Sequence, residues 1–419
     1  MALNSRTIKI GWFLGLRQLK RSSIWTNVLI VVIMILTFLN LVVVSGLLVG
    51  LIEGAVFATR THYTGDMLIS SLKEKNYVEN SQNILAAISN INGIHAVTAR
   101  YMTGGTIESN YQQRTNFNDE PETVSTIVAG INPEQENEVT HMEDLIIEGN
   151  YLESGDYDEV LVGAMLLKKY LNIESPGFTV LEDVEIGSKI RLTIGSQTRE
   201  FRVKGILKSK VDEIDRRVFM TDSQLRSMIA RNDLNVSEIS VALLPGYAPT
   251  RVKNILIENG FDKDAKIQTY EDAQPKFLQD IKNTFALLGS IISSIGLVVA
   301  AITIFIVIFI NALTRRKYIG ILKGIGVDGT AIELSYVFQS LTYALIGSAI
   351  GLFFVYVLLV PFFSSHPINF PFSDGILVAP AFGTSIRIVL LILTTVVAGY
   401  VPARIIVSKN TLNSILGRK

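Results

Sequence analysis

From Ser22 to Ile52 the chain runs 31 residues without an Asp, Glu, Lys or Arg, and such runs recur over 32 residues at Asn283–Thr314 and 40 at Leu334–Ser373. About 20 helical residues cross the roughly 30 Å hydrocarbon core of a bilayer, so each run can span one. Pro361, His366, Pro367 and Pro371 crowd the end of the third run, which therefore reads as one span over 335–360 and a turn over 361–381. A fourth span, 382–401, carries Arg387 near its outer end, from which the side chain can snorkel to water. With 48% hydrophobic and 18% charged residues among 419, the composition is that of a membrane protein. The first run, taken as 22–52, far exceeds the about 7–15 apolar residues of a secretory signal and reads as an anchor.

The spread of Lys and Arg sets the orientation. Residues 1–21 hold Arg6, Lys9, Arg17, Lys20 and Arg21 and no acid, and form an amphipathic cytoplasmic segment. The connection 315–333 holds Arg315, Arg316, Lys317 and Lys323 against Asp328 and Glu333. The tail 402–419 holds Arg404, Lys409, Arg418 and Lys419 and no acid. Between the first two spans, Glu53–Lys282 carries 24 Lys and Arg against 35 Asp and Glu. Overall neutrality thus hides an asymmetry: both termini and 315–333 are expected in the cytoplasm, and an acidic domain, 53–282, outside. That domain has no cysteine, so it must stand on its core without disulfides.

The expected fold class is four transmembrane helices plus an α+β extracytoplasmic domain. "KIRLTIGSQTREFRVKGIL" (189–207) alternates apolar residues on both sides of Gly195-Ser196, the pattern of a hairpin with glycine at a type II′ position. "TDSQLRSMIA" opens with Thr221 and Gln224 at capping-box spacing, which predicts a short helix. Two segments, 67–101 and 237–270, both read strand–helix–strand. They predict a small α/β subdomain assembled from the two ends of the outer region, with a mainly β subdomain, 102–235, inserted between.

Motifs for catalysis are missing. His62, His95, His141 and His366 show no zinc-ligand spacing, and no G-x-x-x-x-G-K-[ST] loop is present to cradle ATP phosphates. The acids Glu134, Glu136, Glu138, Glu143 and Asp144 lack the EF-hand pattern and read as a solvated face. No catalytic, cofactor or metal residue is therefore expected, and nothing points to nucleic acid. Gly46, Gly50 and Gly54 in the first span, and Gly347 and Gly351 in the third, stand at four-residue intervals that let helices approach closely in lipid, either within the chain or at a dimer seam. With only Arg387 ionisable inside a span, no polar channel is evident.

The most informative stretch is "RRKYIGILKGIGVDGTAI", where the chain leaves the second span, turns basic and re-enters. It resembles the "R..EIGILKALG" segment of the bacterial ABC permeases of the MacB/LolC/LolE/FtsX group. "YVPARIIVSKNTLNSILGRK" is similar to that group's closing "PAR" segment, and "VAGINPEQEN", "EIGSKIRL" and "FRVKGILKS" follow its periplasmic core domain in order. Tyr318 stands where the group usually has Glu, Ser188 where it has Asp, and 174–183 reads as an insertion. The resemblance implies a non-catalytic permease subunit in the bacterial inner membrane. A cytoplasmic ATPase dimer, which would hold the ATP and Mg, would dock on two permease copies, identical or paired, at 315–333. Movement would pass to the outer domain for export or for release of lipoprotein or lipophilic substrate, with an adaptor or lipoprotein as a further partner. A regulator of cell-wall hydrolases of the FtsX kind, or a non-ABC scaffold or sensor, are the alternatives. The coupling residues would be Arg315, Arg316 and Lys317 at the membrane surface. Ile319, Ile321, Leu322 and Ile325 would form a docking face, with Lys323, and Gly320, Gly324 and Gly326 would set the bends.

Overall fold

The computed structural model describes residues 5–112, 121–171, 179–370 and 373–408. The chain divides into a helical unit, comprising 1–52, 279–369 and 374–419, and a sheet unit, 53–278 with 370–373.

Helix α1 (Ser5–Arg21) leads into four helices long and apolar enough to cross a membrane: Ile24–Thr64, Leu278–Thr314, Gly329–Ser365 and Ala381–Val407. All four extend past the expected spans, because helix-forming sequence continues beyond the apolar windows. The third corrects the expectation that Pro361 ends it: the helix runs on to Ser365. A π-type segment, Phe354–Leu359, precedes the proline. Such local rewinding accommodates a ring that cannot donate a backbone hydrogen bond. Pro402 likewise sits buried inside the fourth helix. The core gathers Ile30, Met34, Phe38 and Leu41 of the first span, Tyr336 and Tyr343 of the third and Leu391 of the fourth. The second span contributes Ala300, Ile304, Ile308 and Ala312, a four-residue stripe that puts one face inward.

The sheet unit is built on strands β1 (Met67–Ser70), β2 (Ile94–Glu108), β3 (Thr123–Ile131), β4 (Ile146–Gly149), β5 (Glu159–Gly163), β6 (Lys189–Ile194), β7 (Gln197–Leu207), β8 (Arg217–Thr221), β9 (Glu238–Leu243) and β10 (Lys266–Thr269). Its longer helices are α2 (Ser81–Ser89), α3 (Pro133–Thr140), α4 (Asp222–Met228) and α5 (Pro249–Glu258). The two strand–helix–strand segments interleave: β10, β1, β9 and β2 lie side by side in that order, each antiparallel to its neighbour. This is the split β-α-β arrangement, α2 and α5 being its two crossovers. β2 is long enough to serve twice. Its first half pairs with β9, and from Tyr101 onward it pairs with β3 and β6. The ladder β2–β3–β8–β5–β7–β6 then returns to β2, a closed ring that leaves these strands no free edge.

Strand alternation explains why β5 and β8 read as continuous apolar runs. Val160, Val162, Val218 and Met220 face one core, and Leu161 and Phe219 face a second that includes Met142, Leu152 and Ile214. The 189–207 hairpin forms as expected, with φ +57° at Gly195. α4 also begins where expected, but Thr221 makes no capping bond. Gln224 is drawn away: its side chain bonds the backbone N–H of Asp158 at 3.2 Å and its carboxylate at 2.8 Å.

Candidate functional site

The connection between the second and third spans folds into a short helix, α6 (Arg316–Gly324), fixed at both ends to the helical unit. The chain turns through Arg315, which accepts from Ile319 N–H at 3.0 Å. The far end is a complete Schellman motif. Val327 N–H bonds Leu322 C=O at 3.0 Å, Gly326 N–H bonds Lys323 C=O at 3.1 Å, and Gly326 takes φ +95°. Of the glycines in this stretch, Gly326 alone needs its identity for a positive φ; Gly324 has open space around its missing side chain, and Gly320 is buried in the helix. Lys323 Nζ donates to Val407 C=O at 2.7 Å, tying α6 to the last carbonyls of the fourth span. Asp328 caps the third span, accepting from Thr330 N–H at 3.2 Å, and that hydroxyl and backbone hold its carboxyl below the usual range.

The expected docking face divides in two. Ile319 is buried and Leu322 packs on the core of the spans, so both point into the helical unit and belong to its packing. Ile321 and Ile325 are 51% and 73% exposed, and Tyr318 is 70% exposed. The exposed apolar strip is therefore Tyr318, Ile321 and Ile325, at i, i+3 and i+7, flanked by exposed Lys317. The reason is helical geometry: a period of 3.6 puts Ile319 and Leu322 on one face and their neighbours on the other. Arg316 is half-buried at the start of the helix.

The spaced glycines lie against other elements of the same unit. A Cβ on Gly347 would sit 2.4 Å from Met34 Cβ, and one on Gly351 would sit 2.3 Å from the Phe38 ring. Gly46 and Gly50 face the carbonyls of Val378 and Ile376, while Gly54, in the sheet unit, is half-buried. A pair not singled out from the sequence, Gly11 and Gly15 of α1, meets the backbone of Ala331 and Ser335 on the third span. Their four-residue spacing was the available signal. α1 is thus docked, with Trp12 edge-on to Phe338 at 5.2 Å and Gln339 donating to Gln18 at 3.1 Å.

Residues 290–411, a stretch that holds α6 and the last two spans, match the family model described as FtsX-like permease C-terminal. The chain carries an FtsX-like permease domain. Over 273 residues it is 25% identical to an uncharacterized ABC transporter permease of Methanocaldococcus jannaschii, a match covering 64% of this chain and 62% of that relative. The chain therefore spans less than two thirds of that relative's length. The crystal structure of the periplasmic region of MacB from Actinobacillus actinomycetemcomitans is similar at a TM-score of 0.36 and 17% identity, over 54% of this chain and 96% of that one. Four helices long and apolar enough to cross a membrane, the last two inside the matched stretch, make this a multi-pass membrane protein.

Inside the permease domain Arg387 is not simply snorkelling: its Nη2 donates to Ser45 of the first span at 2.6 Å. The tail cations Lys409, Arg418 and Lys419 lie outside the described residues, as does part of the 174–183 insertion.

The sheet unit holds a second feature that sequence patterning missed. Arg100 on β2, Glu136 on α3, Arg217 on β8 and Glu238 on β9 are all buried around Tyr63, at the end of the first long helix. Arg100 pairs with both Glu136 oxygens, at 2.7 and 2.9 Å, donates to Tyr63 C=O at 2.7 Å and lies opposite Glu238 in register. Tyr63 Oη donates to Glu238 at 2.7 Å and accepts from Arg217 at 3.2 Å. Burial works against the Arg100 cation, and Glu136 with Glu238 more than offsets it, so its pKa lies above the ordinary value. Two cations and two carboxylates neutralise each other. Gly65, at φ +61°, lets Asp66 N–H reach Val241 C=O at 2.8 Å and turns the helix into β1. Glu136 was read as part of a solvated acidic face; it is fully buried, because α3 lays it over Arg100.

Proposed function

We propose that this chain is the permease subunit of an ABC transporter, moved by a separate cytoplasmic ATPase that docks on α6. The observation that carries the reading is the exposed strip Tyr318, Ile321 and Ile325 on a helix whose other face is locked into the spans. A large apolar strip held rigid at a connection fits a partner cleft better than a passive loop. The FtsX-like domain around it and the permease relative support the same assignment. ATP and Mg would reside in the ATPase, and two permease copies would face its two subunits. Motion of α6 would pass through Lys323 to the fourth span and through the packed core to the first, whose helix continues unbroken to Thr64. The working end is then the sheet unit, acting on a lipophilic or lipoprotein substrate outside the cytoplasmic membrane.

The test is charge insertion on the exposed strip. Ile325→Asp or Ile321→Asp, with normal membrane levels, should weaken ATPase pull-down at least about tenfold. An unpaired charge in a contact costs several kcal/mol, and about 1.4 kcal/mol is tenfold. Unchanged pull-down and unchanged permease-stimulated ATP turnover would place the docking site elsewhere. Topology is checked separately in the cysteine-free chain. A cysteine at exposed Ser223 should react with an impermeant maleimide in intact cells, and one at Lys317 should not. The reverse pattern overturns the orientation.

A further inference from the structure

We propose that the cavity between α1, α6 and the third span binds the phosphate of an anionic phospholipid. The cavity, about 390 Å³, is lined by Arg17 and Arg21 of α1, by Arg315 at the start of α6, and by Tyr336 of the third span. All three arginines line the cavity, Arg17 with its guanidinium 5.8 Å from the Phe13 ring centre, and none makes an ion pair among the described residues. Residues 5–52 contain no Asp or Glu that could neutralise them. The two acids of the connection are engaged elsewhere: Asp328 caps Thr330, and Glu333 lies within the fields of Arg404 and Lys323. On its wall sits Tyr336, 0% exposed, whose hydroxyl has no hydrogen-bond partner among the described residues and lies within electrostatic reach of Arg315. A buried hydroxyl without a partner is costly, and here it is a donor on the wall of a cavity that three arginines line. The chemistry that satisfies both is a phosphate.

A lipid rather than free phosphate fits the rest of the cavity. Leu14 and Leu322 line its wall, apolar surface that an inorganic ion would leave unused. α1 also exposes Trp12, Phe13 and Leu16, the apolar face of a helix that lies in a membrane interface. Basic pockets between spans on the cytoplasmic side suit acidic headgroups. The site would brace α1 against α6. It needs α1 and α6 at the membrane surface but is independent of whether α6 docks an ATPase.

The experiment is native mass spectrometry of the full chain released from micelles doped with phosphatidylglycerol or with phosphatidylcholine. Retained phosphatidylglycerol, in preference to phosphatidylcholine, is expected. Arg17→Gln/Arg21→Gln/Arg315→Gln should lower that retention by about fivefold per arginine, on the order of a hundredfold together. Tyr336→Phe keeps the ring and its packing and should lower it about fivefold, the loss of one buried hydrogen bond. Arg6→Gln/Lys9→Gln, on α1 but off the cavity, should leave it unchanged. Equal retention of phosphatidylcholine, or equal losses in the Arg6/Lys9 variant, would reduce the effect to diffuse charge and overturn the site. Displacement of the lipid by millimolar inorganic phosphate would overturn the lipid assignment. Full retention in both Tyr336→Phe and the triple arginine variant would overturn the proposal outright.

Discussion

Arg100 in the sheet unit and Tyr336 in the helical unit are both fully buried, yet they are treated in opposite ways. Arg100 has two carboxylates and a backbone carbonyl around it, whereas the Tyr336 hydroxyl has no protein partner among the described residues. The same contrast runs through both units. The sheet unit buries four formal charges that cancel around Tyr63. The buried polar side chains of the spans are uncharged, and Thr395 and Ser335 bond carbonyls one turn back. Close contact there comes from glycines against Met34, Phe38, Ala331 and Ser335. The difference follows from the solvent each unit folds in. Burial from water supplies the hydrophobic term that offsets desolvating an ion network. In lipid that term is absent between helices, and fit between small residues takes its place.

The largest test of this contrast is Arg100→Met. It leaves Glu136 buried without its counter-ion, while Glu238 keeps Tyr63 and Arg217, and should cost about 3–5 kcal/mol. Faster hydrogen exchange in β2 and β9 would report it, and replacing Glu136 by Gln as well should recover part of the loss. If exchange there is unaltered, the cluster does not hold the sheet unit together. Next comes Gly351→Val in the helical unit, where the added Cβ meets the Phe38 ring at 2.3 Å. Overpacking of this kind costs about 1–3 kcal/mol. Thermal unfolding in detergent should show a lower midpoint, and a value equal to the parent would mean the first and third spans are not in close contact. Asp328→Ala follows, at about 1 kcal/mol for a lost helix cap, with Asp328→Asn close to the parent. The same unfolding assay separates them. The smallest effect belongs to Gly324→Ala, which fills open space and should stabilise by about 0.5 kcal/mol. Gly326→Ala, at φ +95°, should destabilise by about 1 kcal/mol instead. If the two variants shift the midpoint in the same direction, the Schellman ending of α6 is misassigned.

Much of this protein was legible as one-dimensional pattern. Charge-free runs disclosed three spans and an apolar stretch with a single arginine the fourth, because the bilayer demands a fixed apolar length whatever the neighbours are. Period-two alternation disclosed the 189–207 hairpin, and the repeated strand–helix–strand segments disclosed the split α/β layer, because both signals are local. Tertiary structure decided what local signals cannot carry. Whether Leu322 or Ile325 faces outward depends on which side of α6 the spans occupy. That Glu136 is an interior counter-ion rather than a solvated acid depends on Arg100, 36 residues away in sequence and 2.7 Å away in space. The long third helix ran through Pro361 because its hydrogen bonds could rewind. Spacing determines which residues can share a face; only packing determines what that face meets, since burial depends on partners from distant parts of the chain.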